Sequence, residues 1–431
     1  MKAKSDKELK ALAKAYATIF AGLAAEKKKP SEIAGGLLGM SFGPAGFIEY
    51  TPELQKALSE FVQRAAKLIG PAGTHEKAIS QIAAKAAHTL VAVDAPIDEV
   101  ASGIVEAVIK AGSTSFVFVA PNRLMHFTKG VAEVRIGNVR AMFTDAFAEE
   151  RAKTNPDDAI AAKGGSEFKL VVAEQKTWIL MDSLCWVVEV DAAKENVDEE
   201  AAWLIDVAIS FLRLHHTKWE GLFPSVGECE PHPIHPPIVH KESVKFTEEN
   251  ALAAESRKPA WYEITEAVVD LSKGAAFMKK AALVSAPPAK SLAERVSQGL
   301  GWLTRGRRAT DRAERLLFFF TAIEALLSRE DKTAPVVQTI ARHAAVLWTD
   351  NNETRKELSA RIRKLYETRS ALVHTGNRAV LWSASNNAQI LAEALYFRVM
   401  KEADLATSFE TFCSELSACS FGLPWKPKVE H

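Results

Sequence analysis

Arg369 and His374 stand five residues apart in the segment 354–376, TRKELSARIRKLYETRSALVHTG, and together could manage charge and a proton at one place. Leu358, Ile362, Leu365 and Leu372 recur at intervals of four, three and seven and mark one apolar helix face. Arg369 falls where that stripe calls for a core residue. A guanidinium there must be paired or hydrogen-bonded, because a buried unpaired charge is strongly destabilising. His374 is followed by Thr375 and Gly376, and a glycine just past the last periodic residue is a helix stop, so the histidine belongs to the last turn. There the negative end of the helix favours the imidazolium while a neighbouring arginine opposes it. A histidine so placed is of the type that serves as a general acid or base.

An earlier stretch, DRAERLLFFFTAIEALLS, is apolar almost all round from Leu316 to Leu327, the pattern of a central bundle helix. It carries Glu324, whose neighbours at i−4 and i+3 are Phe320 and Leu327. That carboxylate faces inward and needs a cation, for which Arg369 is the obvious candidate.

RLLFFFTAIEALLS, then RKLYETRSALVHTG about 40 residues on, resembles the Apea-like branch of the HEPN superfamily across residues 285–420. Relatives there carry an aromatic-rich helix with a Glu and a later helix with Tyr, Arg-Ser and His-Gly. The matching positions are Glu324, Tyr366, Arg369, Ser370 and His374, with one departure, Thr375 standing between the histidine and Gly376. The resemblance implies an RNA endonuclease working without metal or other cofactor, as a homodimer or higher homo-oligomer that brings two Arg and His pairs into one cleft. His374 would move protons during attack by the 2′-hydroxyl, Arg369 would stabilise charge on the phosphoryl oxygens, and Ser370 and Tyr366 would position phosphate or water. It also implies a role in antiphage defence or abortive infection, restrained until a phage-derived trigger or a regulatory partner acts.

Two other readings stand beside it. In a non-catalytic HEPN module that binds nucleotide or RNA, Arg369 and Glu324 are a register-fixing ion pair and His374 is a helix cap. In a metal-dependent hydrolase, Cys229, His232, His235 and His240, with His215 and His216 upstream, supply ligands, although the intervening prolines read as a surface linker.

The chain has 54 Lys and Arg against 54 Asp and Glu, so any attraction for a polyanion must be local. Residues 290–378 hold 17 of the basic residues, 13 of them Arg, against 10 acidic ones. Within that span Arg305, Arg307, Arg308, Arg312 and Arg315 crowd what reads as a loop and the first turns of the Glu324 helix. They are the expected RNA-phosphate contacts, the alternative being a solvated basic loop. Four cysteines without paired short spacing fit a reducing cytoplasm. The N-terminus lacks the apolar core of a signal peptide, and no stretch approaches the roughly 20 apolar residues of a membrane helix.

The elements that must position these residues read as an α+β multidomain chain. Residues 1–110 have helical periodicity. From 111 to 220 come β-branched and aromatic runs, SFVFVA, EVRIGNV, FKLVVAEQ, TWILMD and LCWVVEV, predicting a small mixed sheet followed by the helix EEAAWLIDVAISFLRLHH. A Pro- and His-rich linker follows at 221–247. From 248 to 425 the periodic segments predict an all-α bundle of five or six helices, broken at Pro287 and Pro288, Gly306, Pro335, Asn351 and Gly376. Two Gly-Pro-Ala-Gly stretches, at 43–46 and 70–73, read as turns and not as phosphate loops, which need a following Lys and Ser or Thr.

Overall fold

The computed structural model describes residues 6–25, 27–28, 40–43, 46–49, 52–70, 74–93, 97–112, 114–154, 168–172, 177–181, 183–216, 238–239, 251–252, 262–329 and 336–426. Helices dominate, with a small antiparallel sheet, and the chain divides into two compact units. Among the described residues no helix is long and apolar enough to cross a membrane.

The first unit comprises Met1–Phe118 and Glu189–Ala202. Its helices are α1 (Asp6–Ala25), α2 (Pro52–Ile69), α3 (Glu76–Val93) and α4 (Ile97–Gly112), and each turns an apolar stripe inward. Leu12, Tyr16 and Ile19 meet Phe61 and Ala65, Ile79 and Ala83, and Ile104 and Val108. Tyr16 lies edge-on to Phe61 and its hydroxyl donates to the Ala83 carbonyl at 2.8 Å, so its polar tip is satisfied within the core. The expectation of a purely helical region needs one correction. Short strands β1 (Lys27–Lys28), β2 (Met40–Gly43) and β3 (Gly46–Glu49) form an antiparallel sheet in the order β1-β3-β2. The first Gly-Pro-Ala-Gly thus joins two paired strands, and Gly70, at φ +92°, ends α2.

The second unit comprises Val119–Val188 and Trp203–His431. The chain reaches it along β4 (Thr114–Pro121), followed by β5 (Met125–Phe127), β6 (Glu133–Ile136), β7 (Val139–Phe143), α5 (Thr144–Thr154), β8 (Phe168–Val172), β9 (Thr177–Met181), β10 (Leu184–Ala192) and α6 (Val197–His215). The expected strands all form. The four-stranded sheet, ordered β4-β10-β7-β6, is antiparallel where its register is defined, with Trp186 opposite Ala141 and Ile136 opposite Val139. Gly137 turns the β6–β7 hairpin at φ +58°, and a Cβ there would lie 1.8 Å from the Ser285 hydroxyl, so both conformation and space demand glycine. β8 and β9 pair with each other.

Beyond the linker region, which lies outside the described residues except for Ile238–Val239, not every segment is helical. β11 (Ile238–Val239) pairs with β12 (Ala251–Leu252), and β13 (Tyr262–Ile264) pairs in parallel with β5. Strands of two or three residues are too short to show a period, which is why the sequence did not announce them. Then come α7 (Glu266–Lys273), α8 (Ala275–Ser285), α9 (Leu292–Arg308), α10 (Arg312–Leu327), α11 (Val336–Trp348), α12 (Asn352–Thr375), α13 (Trp382–Glu402) and α14 (Phe409–Cys419). The breaks at Pro287 and Pro288, Asn351 and Gly376 are where the periodicity put them, and Pro335 lies outside the described residues. Gly306 is not a break: it lies inside α9, where a Cβ would come within 2.8 Å of the Phe319 ring, so its role is close packing of α9 on α10. The turn falls instead at Ala309–Thr310, and Asp311 caps α10 by accepting from the amides of Ala313 and Glu314 at 2.9 and 3.1 Å. α10 is buried among α9, α11, α12 and α13, as an all-round apolar helix must be.

His343 on α11 gives the fold an acid limit. It is buried, with Nε2 3.0 Å from the Ser417 hydroxyl, and burial, with Arg342 and Arg329 nearby, pushes its imidazole down to about 4. The unfolded chain takes the proton near the ordinary histidine value of about 6.5, whereas the folded chain refuses it until about 4. Stability from this group is therefore full above pH ~6.5 and falls as pH drops toward ~4, by on the order of 3 kcal/mol. Urea denaturation at stepped pH should show that slope in the wild type and a flatter one in His343→Gln. Parallel slopes would mean that the ring does not carry the acid sensitivity.

Candidate active site

α12 begins at Asn351, whose side chain accepts from the Thr354 amide at 3.0 Å. It ends at Gly376, which adopts φ +67° and donates its amide to the Leu372 carbonyl. Between these caps only Arg355 and Ile362 are fully buried, so α12 lies on the outside of the bundle with one edge against α10 and α11. Arg369 is on that inner edge. Its guanidinium donates to the Glu324 carboxylate at 2.8 Å, each side chain 20% exposed, which is the ion pair expected from the two apolar stripes. Burial pushes the Glu324 carboxyl above the usual range and Arg369 pulls it back, so the net direction is upward. The carboxylate needs its arginine. Arg369 Nε is buried with no acceptor, leaving the guanidinium one donor short of full satisfaction.

His374 is exposed in the last turn of α12 and makes no hydrogen bond among the described residues. Five residues on a helix separate it from Arg369 by about 140° around the axis and ~7.5 Å along it. One side chain therefore faces the core and the other faces solvent. The loop after His374 is tied back to the Glu324 helix, because Arg378 donates to the Asp311 carboxylate at 2.5 Å. The Glu314 amide first, and then Arg378, hold the Asp311 carboxyl below its ordinary value. Tyr366 packs edge-on against Phe320 at 5.6 Å, and Ser370 is half-buried one residue beyond Arg369. Glu324, Tyr366 and Arg369 thus gather at the α10–α12 contact, while Ser370 lies to the side of it on α12 and His374 stands at the helix end.

The five arginines expected to hold RNA do not form one basic surface. Arg307 and Arg315 are completely buried, which corrects their assignment as phosphate contacts. Arg307 donates to Glu393 at 3.2 Å and to the Ser210 hydroxyl at 2.8 Å. Arg315 donates to the Gln389 amide oxygen at 2.5 Å and to the Gly306 carbonyl at 3.1 Å. Gln389 in turn donates to Glu393, and Arg213 lies 3.6 Å from the same carboxylate. Arg305 and Arg308 are partly exposed but both pair with Asp206 on α6, at 3.4 and 2.7 Å, and Arg305 lies over the Trp203 ring. Arg312 remains exposed in the first turn of α10. The reason is tertiary: α9 runs on through Arg308, so alternate residues of its last turn face opposite ways. Sequence reasoning missed the buried cluster, although Gln389, Glu393 and Tyr396 follow the i, i+4, i+7 pattern within QILAEALYF that had singled out Glu324.

Of the candidate zinc ligands, Cys229, His232, His235 and His240 lie outside the described residues. His215 is packed between Phe211 and Phe277, with Nδ1 2.8 Å from the Phe211 carbonyl and its basicity lowered by burial. Among the described residues no group of three His, Cys, Asp or Glu side chains is placed to hold a metal.

No protein-family model matches the chain, and no curated protein or solved structure is significantly similar to it.

Proposed function

We propose that this protein is a metal-independent HEPN-type endoribonuclease in which Arg369 and His374 act on the RNA backbone, in the setting of antiphage defence or abortive infection. The observation that carries the reading is the juxtaposition on α12: an arginine held in place by Glu324 at 2.8 Å and an exposed histidine in the last turn of the same helix. In the reaction the 2′-oxygen attacks the adjacent phosphorus as its proton leaves, and the bond to the 5′-oxygen breaks. The 5′-oxygen takes up a proton, leaving a 2′,3′-cyclic phosphate and a 5′-hydroxyl. His374 moves those protons and Arg369 offsets charge on the phosphoryl oxygens. Because the two residues diverge around α12, a second copy is needed to bring a second pair to the same phosphate.

Unpartnered apolar surface beside α12 supports that copy. Leu358 and Leu365 line a groove of about 530 Å3 with Ile390 and Leu381, and Leu381 is 69% exposed. Light scattering should report a homodimer or higher homo-oligomer for the wild type and a monomer for Leu381→Arg, with cleavage lost alongside. An undiminished oligomer would place the interface elsewhere.

The direct test incubates the protein with total cellular RNA in EDTA and inspects fragment ends for cyclic phosphate. One observation favours a second reading, a non-catalytic module that binds nucleotide or RNA: the Arg369 guanidinium is already engaged by Glu324. Binding without cleavage identifies that reading, and cleavage abolished by EDTA identifies a metal-dependent hydrolase.

A further inference from the structure

The basic surface that the Arg305 to Arg315 cluster does not provide exists elsewhere in the same unit. α11, the first half of α12 and the turn after α14 enclose an open pocket of about 640 Å3. Its charges can be followed one by one. Lys356 pairs with Glu353 at 2.8 Å, and the buried Arg355 reaches Asp350 at 3.5 Å. Arg342 and Arg363 remain, both exposed and without a carboxylate partner among the described residues; Arg363 donates only to the Ser359 carbonyl of its own helix.

The pocket also presents an aromatic ring. Phe421 is 87% exposed, yet its turn is held from beneath, because Arg355 donates to the carbonyls of Cys419 at 3.1 Å and Leu423 at 3.0 Å on either side of it. A ring displayed on a fixed turn loses little freedom when it binds. Two unpaired guanidinium groups beside a bare ring match a ligand with spaced phosphates and flat bases.

We infer that the pocket formed by Arg342, Arg363 and Phe421 binds single-stranded nucleic acid, the arginines taking backbone phosphates and the ring stacking on a base. Its place on α12 links it to the candidate active site. Lys356, Arg363 and Ser370 follow at intervals of seven, and His374 lies four residues further, so all four share one stripe of the helix. Arg363 and His374 are three turns, or about 16 Å, apart along that stripe, which a few nucleotides of extended strand can span. Identifying the ligand as RNA whose scissile bond sits at His374 rests on the proposed nuclease reading; the binding site does not.

The test measures fluorescence anisotropy of a labelled oligouridylate of about a dozen nucleotides, and of the matching oligodeoxyuridylate, on the full chain in EDTA, with fragment ends read in parallel. Arg342→Ala with Arg363→Ala should weaken binding by at least about tenfold and lower the log–log salt slope by about 1.4, the value for two lost single-strand phosphate contacts. Phe421→Ala should weaken it by about tenfold with the salt slope unchanged. Arg361→Ala, on another face of α12, should bind as the wild type does, and unchanged melting of every variant shows that folding is intact. These results support the site whether or not RNA is cut, and equal binding of the DNA strand supports recognition through phosphate and base alone. Wild-type affinity in the arginine pair or in Phe421→Ala overturns it. So does a wild type that binds neither strand, which would leave the surface to a protein partner.

Discussion

His374→Ala is expected to lower RNA cleavage by about 10²- to 10⁴-fold, the range contributed by a positioned general acid or base. Its stability should stay close to that of the wild type, because the ring is exposed and makes no hydrogen bond among the described residues. Arg369→Ala should cost about 10²- to 10³-fold in cleavage by removing a charge-stabilising donor. It should also destabilise the fold, since Glu324 would lose its cation in a partly buried site. That loss has a recognisable pH signature. The burial of Glu324 already favours its protonated form, so Arg369→Ala should regain stability as pH falls and the carboxylate takes up a proton, and Glu324→Gln in the same chain should remove this dependence. In cells, overexpression of the wild type should arrest growth, and either single variant should relieve the arrest. Equal toxicity of wild type and both variants would sink the nuclease reading, as would fragment ends lacking the cyclic phosphate.

The second large effect concerns stability alone. Arg307→Ala leaves the Glu393 carboxylate buried beside Gln389 and short of its closest cation, a change of the class that costs about 3–5 kcal/mol. Against the roughly 5–15 kcal/mol that holds a typical protein folded, such a loss moves a denaturation midpoint far. Arg307→Met combined with Glu393→Leu removes this pair but also takes the carboxylate away from the buried Arg213, so it should recover only part of the stability. Denaturant titration of the two single variants and the double measures the coupling. Wild-type stability in Arg307→Ala together with lost RNA binding would instead make Arg307 a ligand contact and overturn its place in the core.

The amino-acid sequence by itself determined the elements on which α10 and α12 depend. The all-round apolar run from Leu316 to Leu327, the interrupted stripe ending at Gly376 and the single carboxylate at Glu324 are local patterns, and they led to the Glu324 to Arg369 pair because a buried charge has few ways to be satisfied. The longer strands from Thr114 to Ala192 were legible for the same reason, their alternation and turn residues being local, whereas the three-residue β5 was not. Tertiary structure alone decided which arginines meet solvent. Arg305, Arg307 and Arg308 lie within one helical turn, yet Arg307 is buried and its neighbours face Asp206, because the packing of α6 and α13 on α9 sets which side of that turn is inside. The partners of Arg307 lie 86 and 97 residues away, at Glu393 and Ser210, beyond the reach of any periodicity. The surface of Arg342, Arg363 and Phe421 likewise brings two helices and the turn after a third together from separate stretches of chain. Spacing along a helix says which residues share a face; only the packed neighbours say whether that face sees water.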